Sequence, residues 1–182
     1  MATDFVYLRA AMRKKIVAGN WKMNLLKDEA ILLASEIVKL LKNETNLIGE
    51  IILAPPFVHI NTVVEIVEDE KRITVAAQNC SDKSSGAFTG EVSGAMIKSI
   101  GAWAVIIGHS ERRNYFNETD AMLAEKVSQA LTNNLQPIFC CGETLHQRES
   151  KNHFDVINAQ LENGLFHNLK DIQLYECPFF MK

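Results

Sequence analysis

Three residues far apart in the chain, Lys22, His109 and Glu176, have side chains that could act together on a carbonyl compound. A lysine can hold an anionic group or developing negative charge. A histidine can polarise a carbonyl oxygen, and a carboxylate can take a proton from the carbon beside it. Proton abstraction α to a carbonyl needs these three roles. Taken singly, each has a plainer explanation: Lys22 as a surface lysine, His109 as a hydrogen-bonded structural histidine, Glu176 as a solvated acid near the end of the chain. Glu111 reads first as an acid in the opening turn of a helix, where the dipole favours it. What raises the set above these explanations is its placement at the ends of strands.

Short β-like runs fall near Ile16–Asn20, Glu50–Ala54, Ile73–Ala77, Ala102–Ile107, Gln136–Cys140 and Ile172–Tyr175. Most are continuous apolar runs, the pattern of strands buried on both faces of a parallel sheet. Between them, Lys27–Lys42, Ala121–Leu131 and Phe154–Leu165 carry apolar residues at helical spacing, the second after a cap at Thr119 or Asp120. Repeated βα units leave two α/β architectures, a closed (β/α)8 barrel and an open doubly wound sheet, which pattern alone does not separate. The first strand runs into Ala18-Gly19-Asn20-Trp21-Lys22, with no dinucleotide fingerprint. In either architecture function gathers at the carboxyl ends of the strands. Those ends carry Asn20 and Lys22, then Gln78 and Asn79, then Gly108-His109-Ser110-Glu111, then Cys140-Cys141-Gly142-Glu143, and last Tyr175-Glu176.

Composition narrows the classes. The 182 residues are 47% hydrophobic, enough for a real core, and the net charge of −3 excludes the footprint of a nucleic-acid or polybasic membrane binder. No apolar run approaches the roughly 18 residues a spanning helix needs. Residues 1–11 make a poor signal peptide, with Asp4 where positive charge belongs. They are expected to be a disordered extension before Met12, with residues 12–182 forming one α/β domain. Cys80, Cys140, Cys141 and Cys177 include no CxxC pair, so reduced thiols in a cytoplasmic protein are expected. Cys140 and Cys141 should point to opposite faces of their strand. No carboxylate, histidine or cysteine cluster has ligand spacing, so neither metal nor cofactor is expected. The glycine-rich run Gly86-Ala87-Phe88-Thr89-Gly90-Glu91-Val92-Ser93-Gly94 is not a phosphate-binding loop of known type. It reads as a loop leading into a helix capped by Ser93, with Phe88 available to anchor a partner surface.

Several of these segments, in this order, resemble triosephosphate isomerases: Ala18-Gly19-Asn20-Trp21-Lys22-Met23-Asn24, Ala77-Gln78-Asn79, Gly86-Ala87-Phe88-Thr89-Gly90-Glu91, Gly108-His109-Ser110-Glu111-Arg112-Arg113 and Cys140-Cys141-Gly142-Glu143. The resemblance implies a (β/α)8 barrel that interconverts dihydroxyacetone phosphate and glyceraldehyde 3-phosphate through an enediolate, a step of glycolysis and gluconeogenesis, without a cofactor. That enzyme is a standard example of a neutral histidine electrophile paired with a glutamate base. It implies His109 as the electrophile, with its proton affinity lowered by a helix starting near Ser110, Glu176 as the base, and Asn20 and Lys22 as substrate ligands. Glu111 would contact the lysine, and Cys140 would lie near the site. Phe88, Thr89 and Gln78 would belong to the interface of a homodimer.

After Tyr175-Glu176 the family continues Pro-Val-Trp-Ala-Ile-Gly-Thr-Gly, whereas this sequence reads Cys177-Pro178-Phe179-Phe180-Met181-Lys182. Barrels of this type run to about 250 residues. The expectation is therefore an incomplete barrel of about six βα units with two unpaired sheet edges, an opened interior, poor stability and weak or no turnover. The alternative reading is a catalytically inactive fragment of the isomerase.

Overall fold

The computed structural model describes residues 15–44, 49–168 and 179–181. The expectations for residues 1–11 and Met12, and for Ile172–Tyr175, Glu176 and Cys177, lie outside the described residues. Six strands form one parallel sheet in chain order. They are β1 (Ile16–Asn20), β2 (Glu50–Ala54), β3 (Ile73–Ala77), β4 (Ala104–Ile107), β5 (Gln136–Cys141) and β6 (Phe179–Met181). This sequential order is that of an incomplete (β/α)8 barrel rather than an open doubly wound sheet, whose strand order reverses. The first three strands coincide with the apolar runs of the sequence. The fourth starts at Ala104 rather than Ala102, although Trp103 already bonds through its backbone to Val75 and Gln136. Such differences at element ends are ordinary. The strand paired with β5 is Phe179–Met181, which lies downstream of the run Ile172–Tyr175.

The helices between the strands are α1 (Lys27–Asn43), α2 (Ile60–Val67), α3 (Gly94–Ser99), α4 (Ser110–Tyr115), α5 (Asp120–Thr132), α6 (Leu145–Glu149) and α7 (His153–Gly164). The expected caps are in place: the Ser93 hydroxyl accepts from the Met96 N–H, and Thr119 accepts from Met122. Glu29 reaches back to the Leu26 N–H at 2.7 Å, satisfying an orphan donor at the start of α1. Sequence reasoning missed α2. Its residues Ile60-Asn61-Thr62-Val63-Val64-Glu65-Ile66-Val67 are rich in β-branched side chains, which favour strands. Burial of Ile60, Val63 and Val67 on one helical stripe overrides that preference.

Period-two alternation divides the apolar side chains into two layers. Leu53, Val75, Val105, Ile107, Phe139 and Cys141 face the helices, where they join Ile60, Val63, Leu123 and Val127 in the main core. Ile52, Ala54, Ala76, Ala104, Ile106 and Ile138 face inward, with Ile16 and Cys140 packed against them. Cys140 and Cys141 thus join opposite layers, as their adjacency in a strand requires. Burying one large aliphatic or aromatic side chain contributes about 1.5–3 kcal/mol, so the outer layer supplies most of the hydrophobic stabilisation. The inner layer is rich in alanine and leaves an open cavity of about 790 Å³ inside the curled sheet. Among the described residues, β1 and β6 each pair on one side only. Val17 in β1 is 68% exposed, whereas every residue of β4 is buried. Among the described residues, no helix is long and apolar enough to cross a membrane.

Candidate active site

The cavity opens at the carboxyl ends of the strands, and the same alternation that turns Ile52 and Ile106 inward brings Asn20, Gly108 and Cys140 to its wall. His109, Ser110 and Glu143 also line it. The sequence places polar residues here because β1, β3, β4 and β5 run into them, and the parallel sheet collects those ends on one side.

Lys22 follows β1 in a left-handed backbone conformation, with φ of 55°. For a residue with a Cβ this costs roughly 1–2 kcal/mol. Three contacts from separate elements hold it. The Asn20 side-chain oxygen accepts from the Lys22 N–H at 2.9 Å. The Gln78 amide donates to the Lys22 carbonyl at 2.9 Å and to the Ala54 carbonyl at 2.8 Å, tying the ends of β1, β2 and β3 together. The Lys22 ammonium then meets Glu111 Oε1 at 2.6 Å. That pair is about half exposed, so it aims the ammonium more than it stabilises the fold. Strain held from several sides is the pattern of a functional position.

His109 is the N-cap of α4, and its Nδ1 accepts from the Glu111 N–H at 3.2 Å. The same nitrogen lies 3.4 Å from Glu111 Oε2, a contact that counts only when Nδ1 is protonated. The two cannot both hold, and the shorter, aligned N–H contact decides. Nδ1 then keeps its lone pair, and in the neutral ring the proton sits on Nε2. The imidazole is mostly buried, with 17% of the side chain exposed. A fixed Nε2–H at the wall of a cavity can donate to a carbonyl oxygen, and an adjacent ammonium can hold an anion.

The helix after the fourth strand starts at Ser110, as the resemblance implies, and His109 itself caps it. Two arginines fix this short helix from below. Arg112 Nε donates to Glu118 Oε1 at 2.6 Å, and Lys126 Nζ donates to the same oxygen at 2.6 Å and to Asn79 Oδ1 at 2.8 Å. Arg113 bonds Asp120 and the carbonyls of Gly108 and Cys140. Both arginines stood in the quoted motif without an assigned part.

Past β5, Glu143 pairs with Arg148. Its own backbone N–H and the Arg148 guanidinium hold its carboxyl below the usual range. Thr144 and Gln147 cap α6 reciprocally, a Thr-x-x-Gln signal that was readable in the sequence. Gln160 of α7 both accepts from the Gly142 N–H at 2.9 Å and donates to its carbonyl at 3.1 Å. Nothing local in the sequence marks that pairing.

The structure therefore brings together Asn20, Lys22, Gln78, His109, Ser110, Glu111 and Cys140. Glu176, expected at the end of the sixth strand, lies outside the described residues, and β6 begins downstream of it. Phe88 and Thr89 lie on the exposed loop between β3 and α3, with Phe88 46% exposed. Among the described residues, no group of three or more His, Cys, Asp or Glu side chains is arranged to hold a metal ion.

A family model described as triosephosphate isomerase matches residues 15–176. Curated proteins named triosephosphate isomerase are similar over most of the chain. That of Cytophaga hutchinsonii is 49% identical over 156 residues, covering 86% of this chain and 61% of that protein. That of Porphyromonas gingivalis is 53% identical over 155 residues, covering 85% and 61%. That of Bacteroides fragilis is 52% identical over 150 residues, covering 82% and 59%. The chain thus spans about three fifths of the length of the curated relatives it matches.

Proposed function

Because the chain belongs to the triosephosphate isomerase family, we propose that its site interconverts dihydroxyacetone phosphate and glyceraldehyde 3-phosphate. The observation that carries this reading is that one residue, Glu111, contacts both a strained, anchored lysine and a histidine of the cavity wall whose Nδ1 is occupied.

The steps balance without an oxidant or cofactor. The Glu176 carboxylate takes a proton from the carbon beside the carbonyl. The electron pair moves to the carbonyl oxygen, and the His109 Nε2–H stabilises the enediolate charge there. The proton is returned to the former carbonyl carbon while the hydroxyl proton passes from one oxygen to the other, so the new carbonyl forms where the hydroxyl stood and the isomer results. Lys22 and Asn20 hold the anionic substrate, and Glu111 orients Lys22. Triosephosphate isomerase is itself a standard case of this neutral-histidine and glutamate pairing. Ser110 and Cys140 support the wall on which the carbonyl rests. The loop carrying Phe88 and Thr89, with Gln78 at its base, is proposed as the contact with a second copy of the chain. The proposed setting is the cytoplasm.

The test is the isomerisation rate of the purified chain on glyceraldehyde 3-phosphate, produced in a host lacking its own isomerase. Contamination by a near diffusion-limited enzyme would otherwise dominate. A rate that falls roughly 100- to 10,000-fold in His109→Gln supports the reading. A rate unchanged by that substitution overturns it.

A further inference from the structure

We infer that Arg113 is a positioning residue for His109, locking the turn after β4 to β5 so that the imidazole keeps one orientation and one tautomer. The inference rests on the proposed reading of His109.

Arg113 is the only residue among those described that joins the end of β4, the body of β5 and the start of α5 through one planar group. Its Nε donates to the Gly108 carbonyl at 2.9 Å, immediately before His109 in the chain. Its Nη2 donates to the Cys140 carbonyl at 3.3 Å, in β5. Its Nη1 pairs with Asp120 Oδ1 at the first residue of α5. The guanidinium carbon lies 5.8 Å from the centre of the Phe139 ring, which is fully buried. The side chain is 16% exposed, so these contacts compete little with water.

The turn it holds has little freedom of its own. Gly108 has φ of +77°, a conformation that other residues rarely adopt. A Cβ there would meet Leu123 at 3.0 Å, the Cys140 carbonyl at 3.1 Å and Arg113 Nη2 at 3.2 Å. The chain therefore passes His109 through a glycine turn closed on one side by the Arg113 guanidinium. A lysine could reach one of these acceptors but could not present a rigid fork to three. His109 keeps Nδ1 toward the Glu111 N–H only while α4 and this turn stay in register. Losing the lock frees the ring to rotate or to exchange tautomers. A misplacement of about 1 Å at a reacting group can cost on the order of 100-fold in rate.

The experiment compares the full chain with Arg113→Met, Arg113→Lys and Asp120→Asn, each labelled with ¹⁵N-histidine. Long-range proton–nitrogen correlation reads the tautomer of each ring without any need for turnover. In the unaltered chain His109 should show an unprotonated Nδ1 and a protonated Nε2. In Arg113→Met the His109 ring should show averaged nitrogen shifts, while His59 and His146 keep theirs. Arg113→Lys and Asp120→Asn should give intermediate spectra. Where the chain turns over substrate, kcat should fall on the order of 100-fold with KM little changed. An unchanged His109 ring in Arg113→Met overturns the inference. So does a change of equal size at His59 and His146, which marks general loosening. If Arg113→Met does not fold, Asp120→Asn decides by the same two criteria. A chain that shows the expected tautomer shift but no isomerisation counts against the proposed function and not against the lock.

Discussion

Neutralising Glu118 should cost the fold heavily. It lies between α4 and α5 with 2% of its side chain exposed, and one oxygen receives both Arg112 and Lys126 at 2.6 Å. At that separation one ion pair is worth about 6 kcal/mol with an effective dielectric of about 20. Most of this offsets the cost of burying the charges. Substituting Glu118→Gln keeps the shape and removes the anion. Arg112 is 27% exposed and can turn to water, but Lys126 is only 4% exposed and would keep neutral oxygens, that of Asn79 and that of the new amide, with no counter-charge. A buried charge left without its partner costs about 3–5 kcal/mol. Typical domains hold about 5–15 kcal/mol in all, so this should shift the urea midpoint markedly. Circular dichroism during urea unfolding is the assay. The paired variant Glu118→Gln with Lys126→Met should be more stable than Glu118→Gln alone, because the stranded cation is gone. A loss under about 1 kcal/mol for the single change, against the 3–5 expected for a stranded charge, would refute the reasoning. So would a paired variant less stable than the single one.

Two further outcomes follow from titratable groups. Burial pushes the Cys80 thiol up to about 12, so iodoacetamide at pH 8 should leave Cys80 unmodified in the folded chain and label it after unfolding in urea, as peptide mapping by mass spectrometry would show. Native-state labelling at the rate of a free thiol would contradict this. Glu70 is held at about 2, below its ordinary 4.5, chiefly by the hydrogen bond from the Arg72 side chain working against burial. The folded value lies below the unfolded one, so this stabilisation is complete above about pH 4.5 and is lost as pH falls toward about 2. Glu70→Gln should flatten the fall of the thermal midpoint across that window, and an unchanged slope would count against the assignment.

The parts of the molecule that were legible in the sequence are those fixed by local rules. Mostly continuous apolar runs marked five of the six strands, because the strands inside a parallel sheet are buried on both faces and admit little else. Ser93 and Thr119 marked the starts of α3 and α5, because an oxygen before a helix satisfies an orphan donor. Helix α2 was not legible, since its β-branched residues follow packing against the sheet rather than local preference. The choice between a barrel and an open sheet also stayed closed to pattern, because strand order is a long-range property. In the site, strand-end position was enough to find Asn20, Lys22 and His109. It could not show that Gln78 braces Lys22, that Gln160 brackets Gly142, or that Lys126 lies buried beside Asn79. Each of those is a contact between residues far apart in the chain, and a lysine in an amphipathic helix reads as exposed until its partner is seen.

These bracing contacts also rank what fixes Lys22. Its left-handed backbone costs roughly 1–2 kcal/mol. A hydrogen bond returns about 0.5–1.5 kcal/mol net, so the Asn20 and Gln78 bonds together offset the strain. The Lys22–Glu111 pair is about half exposed on both sides and contributes at most about 1 kcal/mol. Gln78 and Asn20 therefore set where the lysine backbone stands, while Glu111 sets only where the ammonium points. Glu111 acts on His109 as well, through its N–H to Nδ1, so one residue at the start of α4 couples the cation to the imidazole. All the groups in this network lie between β1 and α4. The cation and the imidazole are thus linked through contacts of the first four βα units, and Arg113 ties the turn before His109 on to β5.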